Sequence, residues 1–113
     1  MEECLFCKIV AGEIPSTIVH NDKDVLAFRD VNPQAPQHIL LIPKRHIPSM
    51  QALTPEDGPL LAQIFAVARD LAQDLQLEKG YRFVTNVGHD SGQSVSHLHF
   101  HLLGGRPFGW PPG

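Results

Sequence analysis

Residues 97–101 read His97-Leu98-His99-Phe100-His101, three imidazoles alternating with apolar side chains. On a β-strand successive side chains point to opposite faces. The three histidines then share one face, and Leu98, Phe100 and Leu102 share the other. The apolar face can anchor the segment to a core, leaving the imidazoles in a row about 7 Å apart. Imidazole titrates near neutral pH, attacks as a nucleophile, passes protons and binds metals. Packing alone does not call for three of them on one ridge.

The chain around this ridge has 113 residues, enough for one core. Its hydrophobic fraction of 42% is that of an ordinary globular protein. A net charge of −3 offers no broad basic surface to a long nucleic acid. Met1-Glu2-Glu3 is acidic and no cleavable apolar signal follows. The apolar stretch near 59–72 is broken by Gln63, Arg69 and Asp70, so no membrane span is expected. Cys4 and Cys7 are too few for a secreted disulfide scaffold, and a reducing cytoplasm is the expected setting.

Outward from the ridge, the pattern predicts a short helix over 5–11 stopped by Gly12. Strands follow over 16–20 and 25–30, with the turn Asn21-Asp22-Lys23-Asp24 between them. His38–Ile42 is a continuous apolar run before Pro43, as expected of a strand buried on both faces. One long helix is predicted between Thr54 and Gly80, with Thr54 or Asp57 at its start. Its apolar stripe is Leu60, Leu61, Ile64, Ala68, Leu71, Ala72 and Leu75. Further strands are predicted over 81–87 and 94–103, around a Gly88–Gly92 turn. Helix, strands, helix, strands with tight turns predicts an α+β protein on a mostly antiparallel sheet of about five strands.

For the histidine row, three readings stay open: solvated histidines, a zinc hydrolase, or nucleophilic catalysis by imidazole. Zinc hydrolysis needs three protein ligands and a water. No HExxH sequence is present, and no carboxylate lies near the row in sequence. Nucleophilic catalysis fits the preceding Gly88-His89-Asp90-Ser91-Gly92-Gln93-Ser94 turn, whose backbone N–H groups and Ser94 hydroxyl can converge on an anion. Cys4-x-x-Cys7 is a packing pair, a redox pair, or half a zinc site completed by His46 and His97. Asp30 is a turn residue or a ribose contact. Asn86 is a turn cap or a phosphate donor. Trp110 is a frayed end or packs on a second subunit.

The sequence resembles the histidine triad (HIT) family, whose motif is matched by His97-Leu98-His99-Phe100-His101-Leu102-Leu103. The branch of histidine triad nucleotide-binding proteins is the most similar. It is matched by Phe28-Arg29-Asp30, by Pro33-Gln34-Ala35-Pro36-Gln37-His38 and by Ile42-Pro43-Lys44-Arg45-His46. Gly92-Gln93-Ser94-Val95, Gly104-Gly105-Arg106 and the ending Trp110-Pro111-Pro112-Gly113 complete the match. Two departures bear on the leaving group: Ser96 stands where relatives often carry tyrosine, and Phe108-Gly109 replaces a methionine-histidine pair.

The resemblance implies one HIT domain over residues 1–113, with one long and one short helix and a sheet continued across a homodimer. It implies a purine nucleotide ligand of the AMP kind and hydrolysis of nucleoside phosphoramidates. Dinucleoside polyphosphate hydrolysis and a regulatory nucleotide-binding role are the alternatives. His99 matches the nucleophile and His101 a phosphate contact; His38, Ser94 and Asn86 match further phosphate-side residues. Asp30 matches the ribose contact, and Phe6, Ile9, Phe28 and Leu40 the walls around the base. Gly92, Gln93 and Val95 fall in the phosphate-binding segment, and Trp110 matches a tail residue near the neighbouring subunit's site. Some microbial members hold a structural zinc at positions matching Cys4, Cys7, His46 and His97. No catalytic cofactor is expected.

Overall fold

The computed structural model describes residues 4–113; the acidic Met1-Glu2-Glu3 lies outside the described residues. Five strands form one sheet in the order β1-β2-β3-β5-β4. They are β1 (Ile18–Asn21), β2 (Val25–Arg29), β3 (Gln37–Pro43), β4 (Tyr81–Val84) and β5 (Phe100–Gly104). Every pairing is antiparallel. A short helix α1 (Leu5–Val10) and a long helix α2 (Gly58–Asp74) complete the α+β architecture. No helix among the described residues is long and apolar enough to cross a membrane.

The continuous apolar run of β3 is buried on both faces, as its composition requires. Ile39 and Leu41 join Val25, Ala27, Leu98, Phe100 and Leu102 in the core beneath Ile64, Ala68 and Leu71 of α2. Leu40 and Ile42 join Leu26 and Phe28 in a smaller core beneath Phe6 and Ile9 of α1. Apolar side chains alternating between two covered faces produce two cores from one sheet.

Three boundaries differ from the sequence pattern by three residues or more. The last strand starts at Phe100, not Ser94, so only His101 of the histidine row is paired in the sheet. Pro43 ends β3 and has no N–H to extend the ladder. Leu98 N–H donates instead to the Ile47 carbonyl at 2.6 Å. β4 stops at Val84 rather than Val87, and the Thr85 hydroxyl takes the His99 carbonyl at 2.7 Å. Finally, α2 ends at Asp74, well short of Gly80. Gln76 turns left-handed (φ 59°), and Leu77 N–H closes back on the Ala72 carbonyl at 2.9 Å. At the start of α2, Pro55–Asp57 form a single 3₁₀ turn, and the α-helix proper begins at Gly58.

Candidate functional site

The alternation through 97–101 survives although the regular strand does not. Leu98, Phe100 and Leu102 point into the α2 core. His99 faces α1, its ring 5.1 Å from that of Phe6. The expected even row of imidazoles is not formed: His99 and His101 ring centres approach to 5.2 Å, and each histidine turns to different partners. Backbone partners dictate the protonation of each ring, because a carbonyl only accepts and an N–H only donates.

His99 Nδ1–H donates to the His97 carbonyl at 2.7 Å, which leaves Nε2 as the ring's lone-pair nitrogen. Gln34 N–H donates to His38 Nδ1 at 3.0 Å, so the His38 proton resides on Nε2. That Nε2–H donates to His101 Nδ1 at 2.9 Å, which places the His101 proton on its own Nε2. The Nε2 atoms of His99 and His101 have no partner among the described residues, yet no buried side-chain nitrogen or oxygen is left unsatisfied. Both atoms are therefore open to solvent. One presents a lone pair and the other a proton.

Burial keeps His101 and His38 neutral. It pushes His101 down to about 4, reinforced by the neighbouring His99 and His38 and opposed by Asp30. Burial lowers His38 as well, again against Asp30. Asp30 is the carboxylate that sequence distance hid from the row. Its Oδ2 lies 3.5 Å from His38 Nε2, and its Oδ1 accepts from Asn32 N–H at 2.8 Å. Asp30, His38 and His101 stand close enough to share a metal. The Gln34 bond argues against it: His38 Nε2 carries a proton there and has no lone pair to give.

A second cluster lies at the start of α1. One ligand atom from each of Cys4, Cys7, His46 and His97 falls within 4.8 Å of the others. His97 Nδ1 lies 3.3 Å from Cys4 Sγ and 3.6 Å from Cys7 Sγ, and His46 Nδ1 lies 3.3 Å from Cys7 Sγ. His97 Nε2–H donates to the Pro43 carbonyl at 2.8 Å, so Nδ1 is its lone-pair atom. Zinc–sulfur bonds of about 2.3 Å and zinc–nitrogen bonds of about 2.0 Å make tetrahedral edges of roughly 3.3–3.8 Å. The three separations match those edges and the remaining ones lie within 4.8 Å, so the four side chains are placed to take up a tetrahedral ion. Burial and the adjacent Cys4 sulfur push the Cys7 thiol up, a cost that a dication on both sulfurs would offset.

The HIT domain family matches residues 11–108. A HIT-like protein of Synechocystis is 53% identical over 99% of this chain and 98% of its own length. A maize protein named as a 14 kDa zinc-binding protein is 49% identical over 96% of this chain and 87% of its own. The crystal structure of a HIT family hydrolase from Legionella pneumophila superposes with a TM-score of 0.96 at 55% identity, covering 98% of this chain and 100% of that one. The chain belongs to the HIT family. It has the fold of the family's hydrolases.

On this HIT scaffold the remaining sequence candidates separate. Asn86 lines a cleft of about 330 Å³ with His38, His101, Arg82, Arg106 and Phe108. Ser94 is exposed, and no hydrogen bond of its hydroxyl is present among the described residues. Gln93 spends its side chain on the loop itself: its amide NH₂ donates to the Pro48 and Val95 carbonyls, and its oxygen accepts from Gly88 N–H. Gly92, left-handed at φ 93°, ends the turn, and Val95 packs on the α1 core. Phe6, Ile9, Phe28 and Leu40 are buried in that core. Trp110 is 87% exposed, on a tail whose Gly109 and Pro112 carbonyls accept from Arg82.

Sequence reasoning missed Gln34, Pro43 and Thr85. Gln34 and Pro43 act through a backbone N–H and a backbone carbonyl, which carry no compositional signal, and the Thr85 hydroxyl meets a backbone carbonyl 14 positions away. It also missed Arg82 and Arg106, whose guanidinium carbons lie 5.0 Å and 4.3 Å from the Phe108 ring centre.

Proposed function

We propose that this HIT protein hydrolyses purine nucleoside phosphoramidates, conjugates of the AMP kind, through a nucleotidyl-histidine. The observation that carries this reading is the pair of open ring nitrogens, a lone pair on His99 Nε2 beside a proton on His101 Nε2. In the first step His99 Nε2 bonds to phosphorus and the P–N bond breaks. The amine nitrogen takes up one proton, drawn from solvent through His101. The His97 carbonyl holds the positive charge that appears on the substituted imidazole. In the second step water delivers hydroxyl to phosphorus, His99 is released, and one proton returns to solvent by the same route. Positioned proton transfer of this kind contributes about 10²–10⁴-fold.

The other proposed roles follow from position. His38 holds His101 in register rather than touching phosphate itself. Backbone N–H groups of 92–95, with Ser94 and Asn86, receive the phosphoryl oxygens. Asp30 takes the ribose hydroxyls, and Phe6, Ile9, Phe28 and Leu40 back the base. Cys4, Cys7, His46 and His97 would hold a zinc, which would cross-link α1 to the segments around residues 46 and 97. No catalytic metal is called for: activity removed by chelation and restored by magnesium would contradict this.

A homodimer completes the reading. The edge strand β4, with half-exposed Tyr81 and nearby exposed Phe65, is suited to carry the sheet into a partner, and Trp110 to reach that partner's site.

One observation favours a second reading, hydrolysis of dinucleoside polyphosphates. Arg82 and Arg106 flank the cleft beside His101 and suit an anionic leaving group. Comparing kcat/KM for an AMP–amine conjugate and a diadenosine polyphosphate decides between them. We expect the AMP–amine conjugate to be preferred. His99→Asn should bind AMP with wild-type affinity and lose at least about 10³-fold in kcat. Comparable turnover in that variant would refute the assignment.

A further inference from the structure

The two histidine clusters share a residue. The His97 ring belongs to the Cys4–Cys7–His46–His97 group, and its backbone carbonyl is the acceptor for His99 Nδ1–H. A second link runs through Phe6, which sits between the two cysteines in sequence and is 5% exposed. Its ring meets His97 edge-on at 5.9 Å and His99 edge-on at 5.1 Å. A third link joins the segments behind them: Leu98 N–H, next to His97, donates to the carbonyl of Ile47, next to His46.

We propose that the Cys4–Cys7–His46–His97 cluster, when it holds its metal, aims the nucleophile. His97 and Phe6 are positioning residues for His99. This goes beyond a scaffold role for the metal, and it rests on the reading of His99 as nucleophile.

A six-residue helix does not hold its own place in water. With no ion bound, α1 is tied to the site by thiol–imidazole contacts and by the small core alone. The Pro43 carbonyl fixes the His97 ring at Nε2, and an ion held by the four side chains would fix it at Nδ1 as well. The peptide carrying the His97 carbonyl is then held on both sides. When that carbonyl shifts, His99 loses the acceptor that keeps its proton on Nδ1, and the proton can pass to Nε2 and cover the attacking lone pair. Loss of an orienting partner of this kind costs roughly 10–100-fold.

The test uses full-length ¹⁵N-labelled protein, as purified, stripped by chelator, and reloaded with zinc, alongside Cys4→Ser/Cys7→Ser and Phe6→Leu. Three quantities are read: zinc content, the NMR resonance of the His99 Nδ1 proton, and kcat against KM, with circular dichroism confirming the fold. We expect the folded, stripped protein to lose the resonance. Its kcat should drop at least about tenfold while KM stays within about threefold. Zinc should restore both in wild type and neither in the double serine variant.

A stripped, folded protein that keeps the resonance and a kcat within twofold of wild type overturns the proposal. So does a wild-type protein that takes up no zinc. Should the stripped protein unfold, zinc-loaded Phe6→Leu decides: a lost resonance with lowered kcat supports the proposal, and an unchanged resonance overturns it. The resonance is read without turnover. Failure of the phosphoramidate reading is therefore told apart from failure of this one.

Discussion

His101 and His38 show how single residues tie this site to the stability of the whole. Both are held neutral by burial, with His101 brought down to about 4. The unfolded chain restores both to about 6.5. Between those values the unfolded state binds more protons than the folded one, so stability falls as pH drops from about 6.5 towards 4. Asp22 acts in a separate, lower window. Burial alone would raise it, but hydrogen bonds from His20, the Asp24 and Val25 amides and Gln63 bring it to about 2. Its contribution persists above its ordinary value of 3.8 and is lost as pH falls towards 2. Thermal melts from pH 7 to pH 4.5 should show a falling Tm, and His101→Gln should flatten the slope. An identical slope in variant and wild type would contradict the burial argument. Asp22 was legible as a turn residue from Asn21-Asp22-Lys23-Asp24. Its grip on Gln63, 41 positions away, was not, because no local pattern reports a contact across the fold.

At the scale of elements, local chemistry was read well where one rule acted alone. Alternation placed β2, and the continuous apolar run His38–Ile42 placed β3 with its two-sided burial. Boundaries set by competition were not readable. The last strand lost Ser94–His99 because Pro43 cannot extend the ladder and Ile47 offers Leu98 another acceptor. Helix α2 stops at Asp74 because Leu77 turns inward, to 6% exposure, before Gly80 is reached. That same Leu77 makes Gly104 necessary at the end of β5: a Cβ there would lie 2.6 Å from Leu77 Cδ1. Gly104→Ala should cost about 1–3 kcal/mol in urea unfolding, and Leu77→Ala in the same chain should recover part of the Gly104→Ala penalty by clearing the clash. Strict additivity of the two changes would show that they do not meet.

On the scale of the molecule, the sheet divides the work. One face carries α2 and most of the core; the other carries α1, the imidazoles and both clusters. The chemical residue types of the site were visible in the sequence, since histidine and cysteine at fixed spacings stand out. The order in which they touch was not, because Gln34, Pro43 and His97 act there through backbone groups, whose partners residue type does not report. The proposed dimer should sediment at twice the protomer mass of 12.5 kDa at micromolar concentration, and a monomer there would contradict a sheet shared across β4.

In the proposed cycle His99 becomes bonded to phosphorus at every turnover. Wild-type protein mixed with an AMP–amine conjugate, quenched within one turnover and digested, is examined by mass spectrometry. We expect the mass of one adenylyl group on the peptide bearing His99, and none in His99→Asn. Steady turnover with no adduct on that peptide, or with the adduct on another residue, would contradict it.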